Sequence, residues 1–142
     1  MRLILLCAAA LLFAGARTAC SEVIALTCEI TNSVGVGPLA EQKGAMHLRV
    51  DTTQPSVTIT RDFPASGSPY NEERYDNSQT GLVVKKVDIR QDAMTWLSWN
   101  QNATYKATMN RTNGQLVEND SCAGCVVAQQ TVITYSCAPD SL

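Results

Sequence analysis

The feature that most constrains this chain is a period-two alternation of apolar and polar residues, repeated in short runs that turn signals separate. From Met46 to Thr53, Met46, Leu48 and Val50 alternate with His47, Arg49 and Asp51. Successive side chains of a strand point to opposite faces, so such a run is a half-buried strand. Ile24, Leu26, Cys28 and Ile30 form one apolar face of an earlier run, and Val57 and Ile59 alternate with threonines after the turn at Gln54-Pro55. Leu82 to Arg90 is rich in valine and isoleucine, and Gln91-Asp92 turns it into Ala93 to Trp99. Tyr105, Ala107 and Met109 lead through Thr112-Asn113-Gly114 into Gln115 to Glu118. Asn-Gly favours a tight hairpin because both residues tolerate positive φ. Thr131 to Cys137 closes the series. About eight short strands without helical period predict an all-β fold, a single antiparallel β-sandwich or barrel.

The N-terminus reads differently. Met1-Arg2 precedes an apolar run from Leu3 to Ala16 that ends in Ala14-Gly15-Ala16. One positive charge, an apolar stretch and small residues are the build of a secretory signal peptide over 1–16. The run stops at Arg17, short of the roughly 20 apolar residues a membrane span needs. Alternatively, Thr18-Ala19-Cys20-Ser21 resembles the end of a bacterial lipobox, which would place the leader at 1–19 and lipidate Cys20. Arg17 departs from that motif, since a guanidinium fits an apolar recognition site badly. Either way 22–138 is expected to form one β domain. The expected location is the periplasm or the extracellular space, with a membrane-anchored lipoprotein as the alternative and no transmembrane segment.

Cysteine usage supports an oxidising compartment. Of the six cysteines, Cys7 lies in the leader, leaving Cys20, Cys28, Cys122, Cys125 and Cys137. An odd set implies a free or intermolecular thiol, whereas lipidation of Cys20 would leave an even four. Strand phase points Cys28 and Cys137 inward from the first and last strands, with Ile133 and Tyr135 on the same face as Cys137. Their pairing would close a loop of about 100 residues, stabilising by about 4–5 kcal/mol in the chain-entropy model. That leaves Cys122 and Cys125 for each other.

Chemistry is sparse. Cys122-Ala-Gly-Cys125 could exchange disulfides if a helix N-terminus lowered the pKa of its first thiol, but valines follow and no helical pattern develops. Zinc would need two further ligands, and there is no second Cys-x-x-Cys or His pair. His47, the sole histidine, lies on the polar face of its strand with no Ser or Cys motif to mark a partner. No metal, cofactor or catalytic residue is assigned, and the reading leans away from an enzyme. Apart from Arg2 and Arg17 the chain carries nine basic and 13 acidic residues, a balance that argues against nucleic acid as a partner.

Binding is expected on the two long connections, 31–45 and 62–81, because loops on a rigid β scaffold are where binding usually sits. The second holds Phe63, Tyr70 and Tyr75. Trp96 and Trp99 are three apart and so face opposite sides of one strand, one in the core and the other free for contact. Phe63, Tyr70, Tyr75 and Trp96 are the candidate binding residues.

The stretch from Trp99 to Gly114 contains Tyr105, Met109-Asn110-Arg111 and Asn113-Gly114, and the chain closes with Tyr135-Ser136-Cys137. It resembles a family of small exported bacterial proteins in which a Tyr-containing strand runs into Ile-Asp/Asn-Arg-x-Thr-Gly before a closing Tyr-x-Cys. Asn113 stands where that pattern has threonine, and Cys28 looks like the matching early cysteine. That family is functionally uncharacterised, so the resemblance implies a bacterial, exported, β-rich protein and no activity. The expected function is a non-catalytic periplasmic or secreted protein that binds a protein or small-molecule ligand. A small exported enzyme inhibitor and a Cys-x-x-Cys disulfide oxidoreductase are the alternatives.

Overall fold

The computed structural model describes residues 22–36, 40, 42–63, 72–126 and 128–140. The leader, Cys20 and Tyr70 lie outside the described residues. Among the described residues ten strands form one antiparallel sheet: β1 (Val23–Val36), β2 (Lys43–Asp51), β3 (Ser56–Phe63), β4 (Glu72–Tyr75), β5 (Gln79–Thr80), β6 (Val83–Ile89), β7 (Ala93–Trp99), β8 (Ala103–Asn110), β9 (Gln115–Cys122) and β10 (Gln129–Pro139). Their order is β4-β3-β2-β1-β10-β9-β8-β7-β6-β5. Every neighbour in this order is also a sequence neighbour, except that the first and last strands pair in the middle.

The sheet curls on itself without closing, so the all-β expectation holds and the sandwich does not. The count is ten strands where about eight were expected. The two extra strands, β4 and β5, come out of the connection expected over 62–81. Glu72-Glu73-Arg74-Tyr75 has no apolar alternation, and β4 forms because Tyr75 is buried at 3% exposure and stacks on Tyr105, ring centroids 5.3 Å apart. The connection expected over 31–45 also shrinks, to 37–42. Past a bulge between Ile30 and Asn32, β1 continues along β10 with its polar residues exposed. Gly35, at φ 128°, permits this, since a Cβ there would lie 2.1 Å from the Gln130 carbonyl oxygen.

β4 and β5 are the free edges of the ladder, and polar contacts tie β4 and the connection between the two strands to β6. Lys85 N donates to Ser78 O at 2.9 Å, Val87 N to the Asn77 side-chain oxygen at 3.0 Å, and Lys85 Nζ to Arg74 O at 2.6 Å. These satisfy edge groups that would otherwise template pairing with another chain.

Inward residues fall into rows fixed by the register. Tyr135, Leu116, Met109, Met94 and Ile89 form one row, Ile133, Glu118, Ala107, Trp96 and Val87 the next, and Thr131, Asp120, Tyr105, Ser98 and Lys85 a third. From the other half come Leu26, Leu48 and Ile59, then Cys28, Met46 and Arg61. Each fully buried large apolar side chain here contributes about 1.5–3 kcal/mol. Cys28 lies directly opposite Cys137 across β1 and β10, and the two are disulfide-bonded, as are Cys122 and Cys125.

Because the chain meanders, connections alternate between the two ends of the sheet. One end carries the short turns at 52–55, 76–78, 90–92 and 111–114. Asp51 Oδ1 accepts from the backbone of Thr53 and Gln54, and Asn110 Oδ1 accepts from Thr112 and Asn113, so both hairpins start with an Asx turn. Gly114, at φ 72°, packs where a Cβ would meet Cys137 O at 2.3 Å. The other end carries the three longest connections, 37–42, 64–71 and 123–128.

Candidate functional site

The interior next to the long connections is polar, and the phase of the strands explains why. Arg61 follows Val57 and Ile59 in period, Glu118 and Asp120 follow Leu116, and Lys85 precedes Val87. Charged residues therefore occupy positions whose neighbours on the same strand are core. Arg61 Nη2 donates to Glu118 Oε1 at 2.7 Å, with Glu118 at 0% and Arg61 at 8% exposure. Nη1 donates to Gln42 Oε1 at 2.9 Å and reaches Glu118 Oε2 and Tyr135 OH at 3.4 Å each. Tyr135 OH donates to Glu118 Oε2 at 2.6 Å, Tyr105 OH donates to Oε1, and Trp96 Nε1 donates to Tyr105 OH at 3.4 Å. The carboxylate is thus held by a guanidinium and two phenols, the completeness a buried charge requires.

This arrangement fixes protonation. Burial alone would lower the Arg61 pKa, but the Glu118 charge more than offsets it and holds the guanidinium protonated. Burial, reinforced by the Glu118 charge, pushes the Tyr105 and Tyr135 hydroxyls well above the ordinary phenol value. Tyr75 shifts the same way through burial and the charge of Glu73, to which its hydroxyl donates at 3.0 Å. All three phenols are donors near neutral pH.

Beside this complete network lies an incomplete one. Asp120 is half-buried in the row of Tyr105, and among the described residues it has no hydrogen bond or ion pair. Burial, then the charges of Glu118 and Glu73, raise its pKa above the carboxylate value of 3.8. Gln42 is 7% exposed, and among the described residues its Nε2 has no partner although its Oε1 accepts from Arg61. Lys85 Nζ lies 5.2 Å from the Tyr75 ring centroid, in cation–π range.

Of the residues expected to bind, Tyr75 and Trp96 join this interior, Trp96 at 0% exposure. Phe63 ends β3, paired with Lys43 at the long-connection end. Trp99 is half-buried on the outer face, with Lys86 Nζ 5.9 Å from its ring centroid. Cys122 and Cys125 lie where β9 leads to β10, pinned there because Ala123 N and Gly124 N both donate to Asn102 O. No α-helix lies among the described residues to lower a thiol pKa there.

On the outer face, His47 has partners its strand did not reveal. Nε2 lies 2.9 Å from Asp62 Oδ1 and Nδ1 lies 3.1 Å from Thr27 Oγ1, while the Thr27 hydroxyl donates to Asp140 at 2.6 Å. Because that hydroxyl is committed to a carboxylate, the imidazole does not activate it as a nucleophile. Among the described residues no group of three His, Cys, Asp or Glu side chains is placed to hold a metal, and no helix is long and apolar enough to cross a membrane. Both disulfides are consistent with a periplasmic or extracellular location. The chain matches no family model, and neither a curated protein nor a solved structure matches it.

Proposed function

We propose that this chain is a non-catalytic exported binding protein that takes its ligand at the long-connection end of the curled sheet. The observation that carries this reading is the pairing of two polar clusters in one interior. The Arg61–Glu118 network is satisfied by the chain itself, whereas among the described residues Asp120 and Gln42 Nε2 beside it have no hydrogen-bond partner. Incompletely satisfied, desolvated polar groups near a rigid network are what a binding site keeps for its ligand. Leader, disulfides and resemblance support export, and the disulfide across β1 and β10 keeps the scaffold stiff.

Trp96 supplies the reporter. In a Trp99→Phe background its emission comes from the interior alone, and it connects through Tyr105 to Glu118. Small amines, amino acids and sugars are screened by thermal shift and by Trp96 fluorescence. A ligand that raises the Tm should alter that emission. Asp120→Asn should weaken its binding at least tenfold without lowering the Tm of the free protein. Gln42→Ala should weaken it as much while also lowering that Tm, because Arg61 loses the Gln42 Oε1 acceptor. A ligand bound equally well by both variants would place binding elsewhere and overturn the reading.

A further inference from the structure

The outer face of β6, β7 and β8 holds a second feature, unconnected with the interior. Register places Lys86, Leu97 and Lys106 in one outward row across the three strands. They line a cleft of about 420 Å³ with Asn77 and Thr95. The adjacent acid, Asp88, is occupied by Arg90 at 2.8 Å, and among the described residues Lys86 and Lys106 form no ion pair. Two ammonium groups with no acidic partner among the described residues, Lys86 also lying 5.9 Å from the Trp99 ring centroid, thus flank an apolar floor on a chain whose formal charge is −2. The groove on β1, β2 and β10 has the opposite character, about 720 Å³ lined by Thr27, Glu29, His47 and Asp140. The outer surface is therefore polarised, which steers and orients a charged partner.

We propose that the Lys86–Leu97–Lys106 cleft docks an acidic segment of a partner protein. The lysines are point charges on flexible stems, two interstrand steps or about 9.6 Å apart at the backbone. Two carboxylates at i and i+2 of an extended segment are about 6.8 Å apart on one face, so the stems converge on them over Leu97. A phosphate would instead favour a guanidinium fork, and the arginine lining this cleft is already paired with Asp88.

The test is an amide chemical-shift titration of the ¹⁵N-labelled protein with an alternating Glu-Ala hexapeptide, its Gln-Ala counterpart, inorganic phosphate and vesicles containing anionic lipid. The expected result is shifts confined to β6–β8 for the Glu peptide, weakened by added salt and absent for the Gln peptide. Lys86→Glu/Lys106→Glu should bind at least tenfold more weakly, as should the milder Lys86→Met/Lys106→Met, while Arg49→Glu on the outer face of β2, in the other half of the sheet, binds like the parent. Shifts spread over the whole surface, or retention within twofold by the methionine pair, would overturn the proposal. Tighter binding of phosphate or vesicles at the same residues would overturn the protein-segment assignment.

Discussion

Two clusters of polar side chains share the interior of this sheet, and they have opposite characters. Around Glu118, Arg61 and two phenols satisfy a carboxylate at 0% exposure. Around Asp120, one row nearer the long connections, a half-buried carboxylate faces other carboxylates and has no hydrogen bond among the described residues. The first cluster is complete without a ligand and therefore reads as scaffold. The second is in electrostatic debt, and no described residue around it supplies relief. Side-chain chemistry alone does not separate structural from functional carboxylates here; the inventory of partners does.

The largest effect should come from breaking the complete cluster. Arg61→Met leaves Glu118 buried without its counter-charge, and such a loss costs about 3–5 kcal/mol. Arg61→Met/Glu118→Leu should recover more than half of that, because apolar replacement of both partners removes the orphaned charge. Urea unfolding of the three proteins measures it. A double variant no more stable than the single one would mean that the network does more than compensate its own desolvation.

A phenol comparison sharpens the contrast. Tyr135→Phe removes a hydrogen bond to a fully buried carboxylate and should cost about 1.5–3 kcal/mol. Tyr75→Phe removes one to the partly exposed Glu73 and should cost less than about 1 kcal/mol. Equal losses in denaturant unfolding would show that burial of the acceptor does not govern the difference.

Part of this contrast was legible in the sequence. Alternation located Leu26, Cys28, Met46, Leu48 and Ile133 on inward faces, and inward phase paired Cys28 with Cys137. Arg61 and Glu118 carried the same signal, since each shares the parity of apolar neighbours on its own strand. The informative observation was a charge in phase with the core. What strand phase cannot give is which two in-phase charges meet, because that depends on how ten strands are ordered and staggered. β4 was illegible for a related reason: Glu72-Glu73-Arg74-Tyr75 has one core residue, and its partner Tyr105 lies on β8. The long connections were overestimated because polar strand ends such as Asn32 and Ser33 pair through their backbone and leave no apolar alternation to read.

The smallest effect is the most diagnostic, and it concerns Asp120. Burial and neighbouring negative charge raise its pKa in the folded protein, so the folded state holds this proton more tightly than the unfolded chain does. Stability must then fall as pH rises from the ordinary value of 3.8 through the raised one, and stay lower above it. Asp120→Asn removes that penalty. Its Tm should exceed the parent's at pH 7 by roughly a degree or two, since solvent screening of a half-exposed group limits the gain to a few tenths of a kcal/mol. The difference should vanish at pH 3, where both proteins carry a neutral side chain. A variant that gains stability while losing ligand is the signature of a residue kept for binding at the expense of the fold. A Tm below the parent's at pH 7 would instead mean that Asp120 is compensated within the chain, and the contrast between the two clusters would collapse.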